Sequence, residues 1–168
     1  MFNVVLIEPE IPPNTGNIGR LCLATGSTLH LIKPLGFSTD DRELKRAGLD
    51  YWKEVKVRIW DSFAELQREQ ESSVRYFFLS TKCNRPYYDV KFRKGDFLVF
   101  GRETKGLPEK LLIENPGNCL TIPMSGTRSL NLATAVAIVL FEAVRQELKK
   151  GSPKTYRRVG LLQICNKC

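Results

Sequence analysis

Phe97-Leu-Val-Phe-Gly-Arg-Glu-Thr-Lys-Gly-Leu-Pro108 runs from a short apolar block, through a polar loop bounded by glycines, to a proline at a helix entry. Four bulky apolar residues without polar alternation read as a strand buried on both faces. Outward from this stretch the same strand, loop and helix order recurs. Strand-like runs fall at residues 3–7, 28–32, 56–59, 76–79 and 120–122, and helical patterns lie between them. Such alternation specifies an α/β fold with a mostly parallel sheet flanked by helices. In these folds the loops at the carboxyl ends of the strands deliver their residues to a shared crevice.

Local signals place the helices. Ser62-Phe-Ala-Glu65 has the capping-box pattern of a helix start. A helix over residues 18–25 is closed by Gly26, and a long apolar helix begins near Leu130 and runs into Lys149-Lys150-Gly151. Its apolar run is broken by Thr134 and stopped by Glu142, too short for a membrane span. Residues 1–150 are expected to form a single domain; after Gly151-Ser-Pro153 a basic extension, residues 151–168, follows.

A net charge of +8 over 168 residues favours a polyanionic partner, nucleic acid foremost, with solubility as the plainer explanation. The five cysteines are odd in number and mostly scattered, and Met1 leads almost directly into Val4-Val-Leu-Ile7 without a leader. Both features predict reduced thiols and a cytoplasmic protein. Cys165-Asn-Lys-Cys168 has metal spacing but no second pair, and zinc needs about four ligands. No metal is expected.

Three loops carry the chemistry. Asn14-Thr-Gly-Asn-Ile-Gly-Arg20 reads as a glycine-containing phosphate cradle before a helix starting near Gly16, with Asn17 and Arg20 on one face. It lacks the lysine-serine pair of a P-loop and the dinucleotide glycine spacing, which leaves a nucleotide-dependent oxidoreductase far behind. A helix cap and a surface arginine are the ordinary alternative. In the second loop, Gly101 directly after a strand permits close ligand approach, and Glu103 follows it. The third, Ser125-Gly-Thr-Arg-Ser-Leu-Asn131, leads into the final helix; Ser129 or Asn131 alone would serve as its N-cap.

Taken together and in this order, Asn-x-Gly-Asn-x-x-Arg, Gly-x-Glu-x-x-Gly-Leu-Pro and Ile-Pro-Met…Arg-Ser-Leu-Asn resemble the SPOUT superfamily of RNA methyltransferases. Glu8-Pro-Glu-Ile-Pro-Pro-Asn-Thr-Gly-Asn-Ile18 and Arg46-Ala-Gly-Leu-Asp-Tyr51 look like its small bacterial tRNA (cytidine/uridine-34) 2′-O-methyltransferases, over about residues 1 to 148. The resemblance implies a C-terminal trefoil knot, S-adenosyl-L-methionine (SAM) as cosubstrate, a homodimer, and methylation of the wobble ribose of tRNA, especially leucine tRNAs. Two positions depart from the family pattern. Arg102 stands where proline or serine is frequent, and residues 124–128 are one residue shorter.

By the same resemblance Arg20 acts on the ribose hydroxyl, Ser129 and Asn131 orient the ribose, and Asn14 and Glu103 shape the site. Leu79, Gly101, Ile122, Leu130 and Ser129 would hold the cofactor. An arginine side chain keeps its proton to about pH 12.5, so a phosphate or oxyanion anchor stands beside a base as the role of Arg20. Lys33, Arg42, Lys45, Arg46 and Arg128 are candidate phosphate contacts, each with solvated surface charge as the alternative. Methylation of ribosomal RNA or another tRNA position is the first rival function. A non-catalytic RNA-binding protein of the same fold is the second.

Overall fold

The computed structural model describes residues 1–38 and 49–149. Arg42, Lys45, Arg46 and the extension with Cys165 and Cys168 lie outside the described residues.

Six strands form the sheet: β1 (Asn3–Ile7), β2 (Thr28–Ile32), β3 (Val57–Trp60), β4 (Tyr76–Leu79), β5 (Phe97–Phe100) and β6 (Cys119–Leu120). Every pairing is parallel, in the order β3-β2-β1-β5-β4-β6. Among the described residues four α-helices cover the sheet: α1 (Pro12–Thr25), α2 (Phe63–Arg68), α3 (Glu109–Glu114) and α4 (Leu132–Lys149). β3 and β6 each sit one or two residues from their expected positions. The expected Ile122 strand end lies two residues past β6.

Side-chain alternation divides the core in two. Val4, Leu6, Leu29, Leu31, Leu98 and Phe100 face α1 and α4, where they meet Ile18, Cys22, Val136, Val139 and Leu140. Val5, Ile7, Ile32, Phe78 and Val99 face the other way, onto Phe63 and Leu66 of α2, with Leu111 and Leu112 of α3 packed alongside. Val136, Val139 and Leu140 are wholly buried, and each is worth about 1.5–3 kcal/mol relative to exposure. That burial anchors α4 under the carboxyl edge of the sheet.

α1 corrects an expectation. It begins at Pro12, not near Gly16 or Ile18, so Asn14 to Arg20 lies inside a helix. Pro12 and Pro13 suit a first turn, having fixed φ and no N–H to satisfy. The amides of Asn14 and Thr15 already donate to Ile11 O, which removes the phosphate-cradle reading. The glycines serve packing: a Cβ on Gly19 would lie 2.7 Å from Trp52 Cζ3. Gly26, at φ 64°, ends the helix as expected. Ser62 caps α2 by accepting from Glu65 N at 3.1 Å, while Glu65 Oε2 reaches Asp61 N at 2.7 Å, one residue before the usual box partner.

Candidate active site

β1 and β5 are neighbours in the sheet, but the chain leaves β1 towards β2 and arrives at β5 from β4, so strand order reverses between them. Crevices form outside strand carboxyl ends at such a point. A cavity of about 490 Å³ opens there, within the usual size range for small-molecule sites. Its lining comes from Leu79 to Lys82 after β4, Phe100 to Leu107 after β5, Ile122 and Met124 after β6, Ser129 to Leu132 at the start of α4, and Ile11 and Asn14 of the α1 entry.

One chain of hydrogen bonds joins three of these segments. The Glu103 carboxylate accepts from Glu10 N (2.9 Å), Ile11 N (3.3 Å) and Asn14 Nδ2 (3.1 Å). Asn131 Nδ2 then donates to Asn14 Oδ1 at 2.9 Å. The other end of the Asn131 amide caps α4, its Oδ1 accepting from Ala133 N (2.9 Å) and Thr134 N (3.3 Å). Glu103 thus supplies the cap that Ile11, with no side-chain oxygen, lacks. α4 begins at Leu132 because Asn131 is its cap, two residues after the expected start.

The loop after β5 is folded tightly on itself. Gly106 N donates to Arg102 O at 2.9 Å, and Gly106 has φ 68°. A Cβ on Gly101 would lie 2.1 Å from Gly106 C. Gly101 lines the cavity as expected, but the space a side chain would fill holds the protein's own backbone, not a ligand. Arg102, the departure from the family pattern, pairs with Glu8, whose backbone takes the left-handed conformation uncommon outside glycine (φ 50°). That ion pair is a further tie between the loops after β1 and β5.

Of the residues singled out in the sequence, Asn14, Leu79, Gly101, Glu103, Ile122, Ser129, Leu130 and Asn131 all line the cavity. Arg20 does not. It is exposed on α1, roughly 9 Å along the helix and about 120° around it from Asn14 at standard helix geometry. Ser80, Thr81, Lys82, Thr104, Lys105 and Met124 line the cavity without having been picked out. Their only sequence signal is position: they occupy the same strand-end loops.

Other titratable groups are structural. His30 is buried in β2, accepts from Trp60 Nε1 at Nδ1 (3.0 Å) and faces Asn3 Oδ1 with Nε2 (3.2 Å). Burial, then the Arg58 charge, pushes its pKa down to about 4, so it is a neutral core histidine. Burial pushes the Cys22 thiol up to about 12. Burial followed by a hydrogen bond with Cys119 does the same for Cys83. Neither is a thiolate nucleophile at neutral pH. Among the described residues no three His, Cys, Asp or Glu side chains are grouped to hold a metal, and no helix is long and apolar enough to cross a membrane.

The cavity suits a nucleoside cofactor. Leu79, Phe100, Leu107, Ile122 and Leu130 offer apolar wall, and Ser80, Thr81, Thr104 and Ser129 offer polar groups. A parallel sheet with such a crevice at its reversal point, bound by a polar chain to two helix starts, defines an α/β enzyme of the nucleoside-cofactor class. Known proteins narrow it: the SpoU rRNA Methylase family model matches residues 1–141. The chain belongs to that family. It is 50% identical over 151 residues to the tRNA (cytidine(34)-2′-O)-methyltransferase of Saccharophagus degradans, covering 87% of this chain and 96% of that one. A solved structure concerned with 2-OH methylation of C/U34 on tRNA aligns with TM-score 0.85 and 47% identity, covering 89% and 97% of the two chains. The SpoU methyltransferase AviRb of Streptomyces viridochromogenes, in complex with AdoMet, aligns with TM-score 0.75 and 25% identity over 88% of this chain and 60% of its own.

Proposed function

We propose that this chain transfers the methyl group of SAM to the ribose 2′-hydroxyl of the wobble nucleotide, cytidine or uridine 34, of tRNA, and that leucine tRNAs are its substrates. The observation that carries the reading is the Glu103–Asn14–Asn131 chain closing a cofactor-sized cavity. Identity of about half to enzymes named for this reaction supports it.

SAM supplies an activated methyl on a sulfonium, so neither a metal nor a covalent nucleophile is required of the protein. The apolar wall of Leu79, Ile122 and Leu130, beside the loop from Gly101, would hold the adenosine. The protein's task is to hold the hydroxyl in line with the methyl, while the hydroxyl proton passes to solvent water at the open rim. Ser129, exposed at the rim, orients the ribose. Asn131 has one amide oxygen committed to α4 and one N–H to Asn14; its second N–H is available to the sugar. Asn14 and Glu103 hold that amide in place. Arg20, outside the cavity, anchors the substrate phosphate. Lys33 and Arg128, both exposed, provide further phosphate contacts.

The same reading includes a cytoplasmic homodimer, a C-terminal trefoil knot, and a domain of residues 1–150 followed by a basic extension. Phe141 and Leu148 of α4, 47% and 44% exposed, support the dimer as uncovered apolar surface. Labelled methyl transfer from SAM to tRNA lacking the modification, followed by nucleoside mapping, tests the function. A 2′-O-methylated pyrimidine at position 34 is expected. Label at another position or in ribosomal RNA replaces the target, and no transfer by folded protein overturns the reading.

A further inference from the structure

Residue 10 sits at the centre of a two-way exchange between the start of α1 and the loop after β5. Its amide donates to Glu103 Oε2 at 2.9 Å, while its carboxylate accepts from Thr104 N at 3.1 Å and from Thr104 Oγ1 at 2.8 Å. The segment after β2 fixes it from a third side. Gly36 N donates to Pro9 O at 2.9 Å, and a Cβ on Gly36 would lie only 2.8 Å from Glu10 Cα. Glu10 does not line the cavity, whereas Glu103 and Thr104 do.

Glu103 and the Arg102–Glu8 pair tie the base of the loop, and the Glu10–Thr104 bonds tie its tip. Thr104, Lys105 and Gly106 are exposed, and a segment with few buried apolar contacts opens readily unless polar bonds restrain it. Bonds to an ionised carboxylate are stronger than neutral ones. The Thr104 hydrogen bonds hold the Glu10 carboxyl below the usual carboxylate range, so it is ionised at neutral pH.

We propose that Glu10 is a positioning residue for cofactor binding: its carboxylate closes the loop of residues 101–107 onto the start of α1 and thereby holds Glu103 and Thr104 against the cavity. This rests on the methyltransferase reading above. Glu10 acts through Thr104: loss of the carboxylate removes both bonds, and loss of the Thr104 hydroxyl removes one of them.

The test is calorimetric titration of SAM into the full chain without tRNA, beside steady-state methyl transfer. Glu10→Ala weakens SAM binding about tenfold and Thr104→Val, which keeps the Thr104 N–H donor, about threefold; both raise the KM for SAM, with kcat changed less than about threefold. Glu10→Gln, which keeps a carbonyl acceptor, recovers most of the affinity. The double variant is no weaker than Glu10→Ala alone, because Glu10→Ala already removes the hydroxyl bond that Thr104→Val loses. Thr104 is exposed, so its variant carries the test should Glu10→Ala fail to fold. Wild-type affinity in Glu10→Ala or Thr104→Val overturns the proposal, as does additivity in the double variant or a Glu10→Gln as impaired as Glu10→Ala. Wild-type protein that binds SAM but methylates no tRNA defeats the function and leaves the role of Glu10 standing.

Discussion

Two polar clusters in this molecule have similar ingredients and opposite settings. In the sheet, Trp60, His30 and Asn3 form a line of hydrogen bonds among β3, β2 and β1, with His30 also packed on Phe97. At the carboxyl edge, Glu103, Asn14 and Asn131 form another line, between a loop and two helix starts. The first lines no part of the strand-end cavity, and its central His30 is buried. The second faces that cavity, and its residues retain hydrogen-bonding capacity after the internal bonds are made. A buried polar group therefore declares function less by its burial than by what remains for it to bind.

The largest test of that contrast lies outside both clusters. Arg20→Ala is expected to slow methyl transfer by about 10²-fold, the cost of a substrate hydroxyl no longer held in line. Because Arg20 does not line the cavity, SAM affinity should stay within about twofold of wild type on that argument. Single-turnover rates and calorimetry separate the two. Intact turnover would sink the assigned role of Arg20.

The sheet cluster should show itself in stability alone. His30 has a folded pKa of about 4 against an ordinary value near 6.5, so the folded state binds the proton less well. Its contribution is fully present above pH 6.5 and is lost as pH falls towards 4, about 3 kcal/mol in all. Urea unfolding across that window should follow this slope, and His30→Gln should flatten it. An unchanged slope in the variant would mean that other groups carry the acid sensitivity.

Asn131→Ala is the smallest perturbation and the one that touches both stability and turnover. Loss of the α4 cap costs about 1 kcal/mol, and Asn14 Oδ1 loses its donor. Urea unfolding should register that cost, while methyl transfer falls further than the stability loss explains. Equal losses in both would make Asn131 a cap and nothing more.

Much of this was legible in the chain. Short runs of Val, Ile, Leu and Phe gave five of the six strands to within a residue, because strands buried on both faces leave little compositional choice. The cavity residues were legible through motifs in register. α1 was misread because its decisive features are not local. Gly16 and Gly19 signal a loop, but Gly19 is required by Trp52, and the cap on the helix start comes from Glu103, far along the sequence. Gly101 was placed correctly for an incomplete reason, since the backbone that crowds it belongs to Gly106 and Leu107 folding back. Ser80, Thr81 and Lys82 bore no mark separating them from any loop.

The position of β1 also governs how the molecule comes into being. β1 lies between β2 and β5, paired to both along its length. On the ribosome β2 follows at once, but Phe97 emerges about ninety residues after Ile7, which at 5–20 residues per second means roughly 5–20 s. Throughout that interval one side of β1, the strand of Val4, Val5 and Leu6, is an open hydrophobic edge on the nascent chain. The sheet is completed by insertion of late strands beside its first one, so maturation of this protein is a race between translation and association with neighbouring chains.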